Sequence, residues 1–138
     1  MSASLVSPTG PAHVPMFDHI GFPVSYLTSS RMFYAAALAP LGIGVVVESA
    51  AFVAFGKAGR AQFWLGGGAT IPPSGVHLAF VAADRAAVRA FYQAALAAGG
   101  IDNGAPGLRP QYHPDYYGAF VLDPDGHNVE AVCRNPED

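Results

Sequence analysis

Apolar and polar residues alternate from Phe17 to Val24, with Ile20, Phe22 and Val24 on one side of a strand and His19, Gly21 and Pro23 on the other. The period then lengthens. Met32, Phe33, Ala36 and Ala37 recur at helical spacing, which predicts a helix beginning near Thr28 or Ser29 and stopping before Pro40 and Gly42. Two strand-like runs follow, at Gly44–Glu48 and Ala51–Phe55. Gly56, Lys57, Ala58 and Gly59 then turn the chain into a last strand at Gln62–Leu65. This half of the chain reads as βαβββ.

The second half repeats the plan. Val76, Leu78 and Phe80 alternate with His77, Ala79 and Val81, so His77 takes the place that His19 has in the first half. Asp84 is a helix cap ahead of Val88, Phe91, Ala95 and Leu96, and Gly99 and Gly100 end the helix. Ala119–Leu122 enters the turn Asp123-Pro124-Asp125-Gly126 and leaves as Asn128–Cys133. The correspondence is one of identity as well as pattern. His19, Phe22, Phe33, Tyr34, Leu38 and Gly42 recur 58 positions later as His77, Phe80, Phe91, Tyr92, Leu96 and Gly100. A supersecondary unit has been duplicated, and the fold expected is α+β with two tandem βαβββ modules, the first at about 16–68 and the second at about 75–134. The hairpin glycines Gly59 and Gly126 lie 67 apart, so the second module carries nine extra residues, which must fall within 101–116. That stretch combines turn formers and aromatics with one arginine.

Composition narrows the class. A chain of 138 residues that is 51% hydrophobic has the material for one domain with a substantial core, here 16–138, preceded by a Ser/Pro/Gly-rich tail at 1–15. Seven basic and ten acidic residues leave a net charge of −3 with no basic stripe, so neither nucleic acid nor a membrane surface is an expected partner. No apolar run approaches the roughly 20 residues of a bilayer span. The first residues lack the charged start and long apolar stretch of a signal peptide, and a cytoplasmic protein is expected. The single cysteine, Cys133, alternates with apolar positions and reads as a buried, inert thiol.

The candidate chemistry lies on the strands. Val129, Ala131 and Cys133 form the apolar face of the last strand, which leaves Glu130 pointing to the same side as His19 and His77. Two equivalent imidazoles and one carboxylate make a facial triad for a divalent ion such as Fe, Mn, Ni or Zn, with remaining positions free for substrate. Phe63 and Trp64 read as pocket wall. In the long segment, Arg109 and Tyr117 are the favoured substrate contacts, ahead of Tyr112, His113 and Tyr116. His127, beside the turn, is expected at the surface, and His13 belongs to the tail.

DHIGF, FYAAALAPLG, VHLAF, FYQAALAAGG and DPDGHNVEAV together resemble the vicinal oxygen chelate superfamily of glyoxalases, bleomycin resistance proteins, fosfomycin-modifying enzymes and extradiol dioxygenases, over about residues 16–134. The resemblance implies curved mixed sheets forming a cup around a central cavity. It also implies a divalent metal ion on His19, His77 and Glu130, with Glu130 close to the chemistry, and a homodimer in which the site forms within one chain or across two. The activity implied is that of a lyase, isomerase or dioxygenase on a small-molecule substrate, or else metal-free drug binding. A glyoxalase I carries one more glutamate in the first module. The hairpin offset puts Phe63 at that position, or Trp64 if the register slips by one, and neither binds metal, which favours the three-ligand branches.

Overall fold

The computed structural model describes residues 16–67 and 76–136. The expected tail at 1–15, with His13, and the join between modules at 68–75 lie outside the described residues. Each half is a four-stranded mixed sheet with one helix laid on it. In the first, β1 (Ile20–Pro23), α1 (Leu27–Leu38), β2 (Gly44–Glu48), β3 (Phe52–Lys57) and β4 (Arg60–Gly66) give the strand order β1-β4-β3-β2. In the second, β5 (His77–Val81), α2 (Arg85–Ala97), β6 (Ile101–Leu108), β7 (Tyr117–Leu122) and β8 (Asn128–Cys133) give β5-β8-β7-β6. The first strand of each module pairs in parallel with the last, and every other pairing is antiparallel. The duplicated βαβββ plan is therefore realised twice.

Local differences from expectation have local causes. The α1 helix buries Ser30, Phe33, Tyr34, Ala37 and Leu38 and leaves Met32 exposed, because it faces both its own sheet and α2. It starts at Leu27 with no side-chain cap, whereas Asp84 does cap α2, accepting from the Ala87 amide at 2.8 Å. The first hairpin closes more tightly than the sequence indicated: β3 and β4 extend to Lys57 and Arg60, and only Ala58 and Gly59 turn, at φ of 51° and 74°. Two successive positive φ values match the right-handed twist of a two-residue hairpin.

The segment 101–108 is a strand despite its glycines and proline. β6 lies at the edge of its sheet, where a missing donor costs no ladder bond, and its register shifts twice, between Asp102 and Gly104 and between Gly104 and Gly107. The extra length of the second module is thus shared between a longer strand, eight residues in β6 against five in β2, and a longer β6–β7 connection, residues 109–116 against three residues between β2 and β3.

One hydrophobic core runs through both modules, from Phe33, Leu38, Phe55 and Leu65 to Phe91, Val121 and Val129. The modules are also pinned by polar contacts. The Tyr34 hydroxyl donates to Asp123 Oδ2 at 2.6 Å, and the Ser25 amide donates to Asp125 Oδ2 at 3.0 Å. Asp123 Oδ1 accepts from the amides of Asp125 and His127 at 2.8 and 2.9 Å, so this buried carboxylate is fully engaged. His127 is not at the surface. With the DPDG turn seated on the first module, its ring is 2% exposed and packs 4.6 Å from Phe22. The two sheets do not close on one another, and each keeps one face free of its helix. Among the described residues, no helix is long and apolar enough to cross a membrane.

Candidate functional site

Strand parity decides what reaches the open face of the second sheet. Val129, Ala131 and Cys133 of β8 join the helix-side core, so Glu130 points the other way. In register, Glu130 lies beside Ala79 of β5 and Phe120 of β7, and His77 is two residues before Ala79. The two side chains meet: His77 Nε2 is 3.0 Å from Glu130 Oε1. The carboxylate is 1% exposed and the imidazole about half exposed, so the pair has a sealed end and an open end.

A third residue closes the sealed end. The Tyr116 hydroxyl donates to Glu130 Oε2, so each carboxylate oxygen has its own partner. Burial, and then the bond to Glu130, push the Tyr116 hydroxyl up to about 12, and it remains a donor across physiological pH. Its ring is braced by Tyr112 at 5.1 Å and by the Arg134 guanidinium at 4.9 Å. Gly118 leaves the space this requires: a Cβ there would lie 3.2 Å from both Glu130 Oε2 and the Tyr116 ring. His77, Tyr112, Tyr116, Phe120, Glu130 and Arg134 line a cavity of about 380 Å³.

The other expected site residues are distributed around this centre. His19 is 62% exposed, bonded to Asp18 at 2.9 Å, and lines a separate, mostly apolar cavity of about 260 Å³ with Phe55, Phe63 and Phe80. It does not join His77 and Glu130 within one chain. Among the described residues, no group of three or more His, Cys, Asp or Glu side chains is placed to hold a metal. Phe63 lies on the helix side of its sheet, packed against Tyr34, Phe55 and Phe80. Trp64 is the register equivalent of Glu130, because Trp64 pairs with Gly21 as Glu130 pairs with Ala79, two residues after the respective histidines. It packs on Phe52 at 5.3 Å.

Tyr117 turns to the helix side, where its ring lies under Arg85 and Arg89, and its neighbour Tyr116 occupies the site instead. Parity carried this signal in the sequence: Ala119 and Val121 are the apolar set of β7, which puts Tyr117 with them and Tyr116, Gly118 and Phe120 with Glu130. The same parity on β8 brings Arg134 to the site. Arg109 spreads over the Phe120 ring at 5.4 Å and donates to the Ala105 carbonyl at 2.8 Å.

Residues 16–131 match the family described as Glyoxalase/Bleomycin resistance protein/Dioxygenase superfamily. A crystal structure of a glyoxalase/bleomycin resistance protein from Albidiferax ferrireducens T118 is similar at 30% identity and a TM-score of 0.73, covering 88% of this chain and 100% of the other. Two further crystal structures share the fold. A glyoxalase-related enzyme from Fulvimarina pelagi has 21% identity and a TM-score of 0.67, covering 89% and 90% of the two chains. A glyoxalase/bleomycin resistance protein/dioxygenase family enzyme from Burkholderia phytofirmans PsJN has 18% identity and a TM-score of 0.66, covering 86% and 98%. No curated protein matches the sequence.

Proposed function

Since the chain belongs to the Glyoxalase/Bleomycin resistance protein/Dioxygenase superfamily, we propose that it is a divalent-metal-dependent enzyme acting on a small molecule with vicinal oxygens, by lyase, isomerase or dioxygenase chemistry. The observation that carries this reading is the pair His77 and Glu130, 3.0 Å apart at the floor of an aromatic-walled cavity. Two ligand atoms each about 2.1 Å from one ion, at right angles, stand roughly 3 Å apart. The pair is spaced as neighbouring ligands of a common ion. When bound, such an ion polarises a carbonyl or chelates two adjacent oxygens.

The chain's own residues do the rest. Tyr116 holds Glu130 Oε2, leaving Oε1 to face His77, while Tyr112 and Phe120 wall the cavity with apolar surface. The third ligand is His19 of a second copy in a homodimer. Phe17, Ile20 and Val81 are exposed on or beside the first strands of the two modules, and a second copy would cover them.

Metal content per chain, measured after loading with Fe(II), Mn(II), Ni(II) or Zn(II), tests this. Near-stoichiometric metal is expected in the native protein, with loss in His77→Ala and Glu130→Ala; no metal under any loading would overturn the reading. A mixed dimer of His19→Ala with Glu130→Ala subunits keeps one complete site if the ligands come from two chains. It should regain about one ion per dimer, and no recovery would sink the shared site. A second reading, a metal-free protein that binds a small molecule or drug in the manner of bleomycin resistance proteins, is favoured by one observation. Trp64 stands where the first module's acid would be, packed on Phe52 at 5.3 Å, and offers a flat apolar contact in place of a ligand.

A further inference from the structure

The shared core leaves a gap at the seam between the modules. Ile43, Phe55 and Phe63 of the first module and Leu78 and Phe80 of the second wall a cavity of about 260 Å³ there. Ile43, Leu78 and Phe80 pack against the core and yet stay only partly buried. The cavity shares no lining residue with the one at His77 and Glu130, so it is a place of its own in the fold. Its rim is polar, formed by Asp18, His19, Lys57 and Gln62. Asp18 is already engaged, by His19 at 2.9 Å and by Arg60 at 3.6 Å. Lys57 stands opposite Arg60 in the hairpin register. Neither its ammonium nor the Gln62 side-chain amide has a hydrogen bond or ion pair among the described residues. The unengaged charge at the rim is therefore positive.

A cavity of about 150 Å³ lined by leucine, isoleucine and phenylalanine stays dry and admits benzene. The seam cavity has the same kind of wall and more room, about 260 Å³, enough for a phenyl group and a short linker. Phe63 meets Phe80 edge-on at 5.4 Å and 73° and Phe55 at 5.9 Å and 34°, and rings inclined to one another in this way suit a guest ring. We infer a second small-molecule site in this chain, for an apolar carboxylate: a phenyl-sized group among Phe55, Phe63 and Phe80, with the carboxylate at the rim between the Lys57 ammonium and the Gln62 amide, both donors. The apolar group supplies most of the affinity, because it leaves water completely. Lys57, at the exposed rim, supplies selectivity for the anion. The site needs no metal and stands whether or not His77 and Glu130 hold one.

Calorimetric titration of the intact chain with 3-phenylpropanoate, its neutral amide and propanoate tests the assignment. The phenyl acid should bind and propanoate should not. The amide should bind about three- to tenfold more weakly than the acid at low salt, and the gap should narrow as salt screens the rim. Lys57→Gln should erase the gap, and Lys57→Arg should keep it. At the other end of the ligand, Ile43→Phe should fill the cavity and weaken the phenyl acid by roughly tenfold or more. Ile43→Ala should enlarge it and shift preference toward 3-(2-naphthyl)propanoate, which decides the matter should Ile43→Phe fail to fold. His77→Ala and Glu130→Ala, which remove the proposed metal ligands, should leave these affinities unchanged. No binding of the phenyl acid, equal binding by propanoate, equal affinity for acid and amide at low salt, or indifference to both Ile43 substitutions would each overturn the inference. So would loss of binding in Glu130→Ala, which puts the ligand in the other cavity.

Discussion

Glu130 is held by one residue that the sequence marks as a ligand and one that it ranks low. A carboxylate removed from water needs partners for both oxygens, and it finds them in His77 Nε2 and the Tyr116 hydroxyl. Tyr116 acts on the site through Glu130 and is a positioning residue. Tyr116→Phe keeps the ring between Tyr112 and Arg134 but releases Oε2, and metal affinity should fall by roughly 10- to 100-fold. Gly118→Ala should produce a similar loss by a different route, since its new methyl would press on both Glu130 and the Tyr116 ring. Metal titration of the two variants, with thermal unfolding as a check on the fold, measures both. Affinity within twofold of the native protein in each would remove Tyr116 from the site. Its role was legible only through parity, because an exposed-loop tyrosine and a strand-end tyrosine look alike until the neighbouring strand residues are assigned to faces.

At the scale of elements, the first hairpin and the long connection show opposite solutions to joining two strands. Ala58 takes a positive φ that costs an L-residue about 1 kcal/mol or more. Ala58→Asn, which favours the same two-residue turn with Gly59, should raise stability by up to about 1 kcal/mol. The midpoint of denaturant unfolding reports it, and a lower midpoint would show that the turn is not strained at this residue. The connection 109–116 instead folds back on itself. The Arg109 amide donates to the Tyr116 carbonyl at 2.7 Å and the Tyr116 amide to the His113 carbonyl at 3.0 Å, which closes the loop and sets Tyr116 over Glu130. The part of the second module's extra length that lies in this connection therefore ends in site construction. Composition concealed the adjoining strand β6, because glycine and proline are read as turn formers and only an edge position with shifted register accommodates them as strand.

Across the whole molecule, the Tyr34–Asp123 bond ties the modules together at a buried point. Burial first, and then the Asp123 carboxylate, raise the Tyr34 hydroxyl far above an ordinary tyrosine, and Tyr116 is raised for parallel reasons. A tyrosine raised in the folded state contributes stability that is complete below the unfolded value of 10.0 and is lost as pH climbs through the folded value. Stability should therefore be flat through neutral pH and fall steeply above about pH 10. Tyr34→Phe should cost about 1.5–3 kcal/mol near neutrality, since Asp123 loses a buried donor. It should also flatten the alkaline slope. Unfolding midpoints from pH 7 to 11 distinguish this from simple loss of packing, which would lower the curve without changing its slope.

The sequence by itself determined the two βαβββ modules, the Asp84 cap, the Asp123–Gly126 turn, and the side of the strands on which His77 and Glu130 lie. Those properties follow from periodicity and local backbone preference, which act over a few residues and were written twice. The tertiary structure decided the rest. It buried His127 and Tyr34 by seating one module's turn on the other. It resolved the first module's counterpart of Glu130 as Trp64 rather than Phe63, and it kept His19 apart from the pair it resembles. Each of these depends on strand register or on how the modules pack, and both are set by contacts between residues far apart in the chain, which no local pattern records.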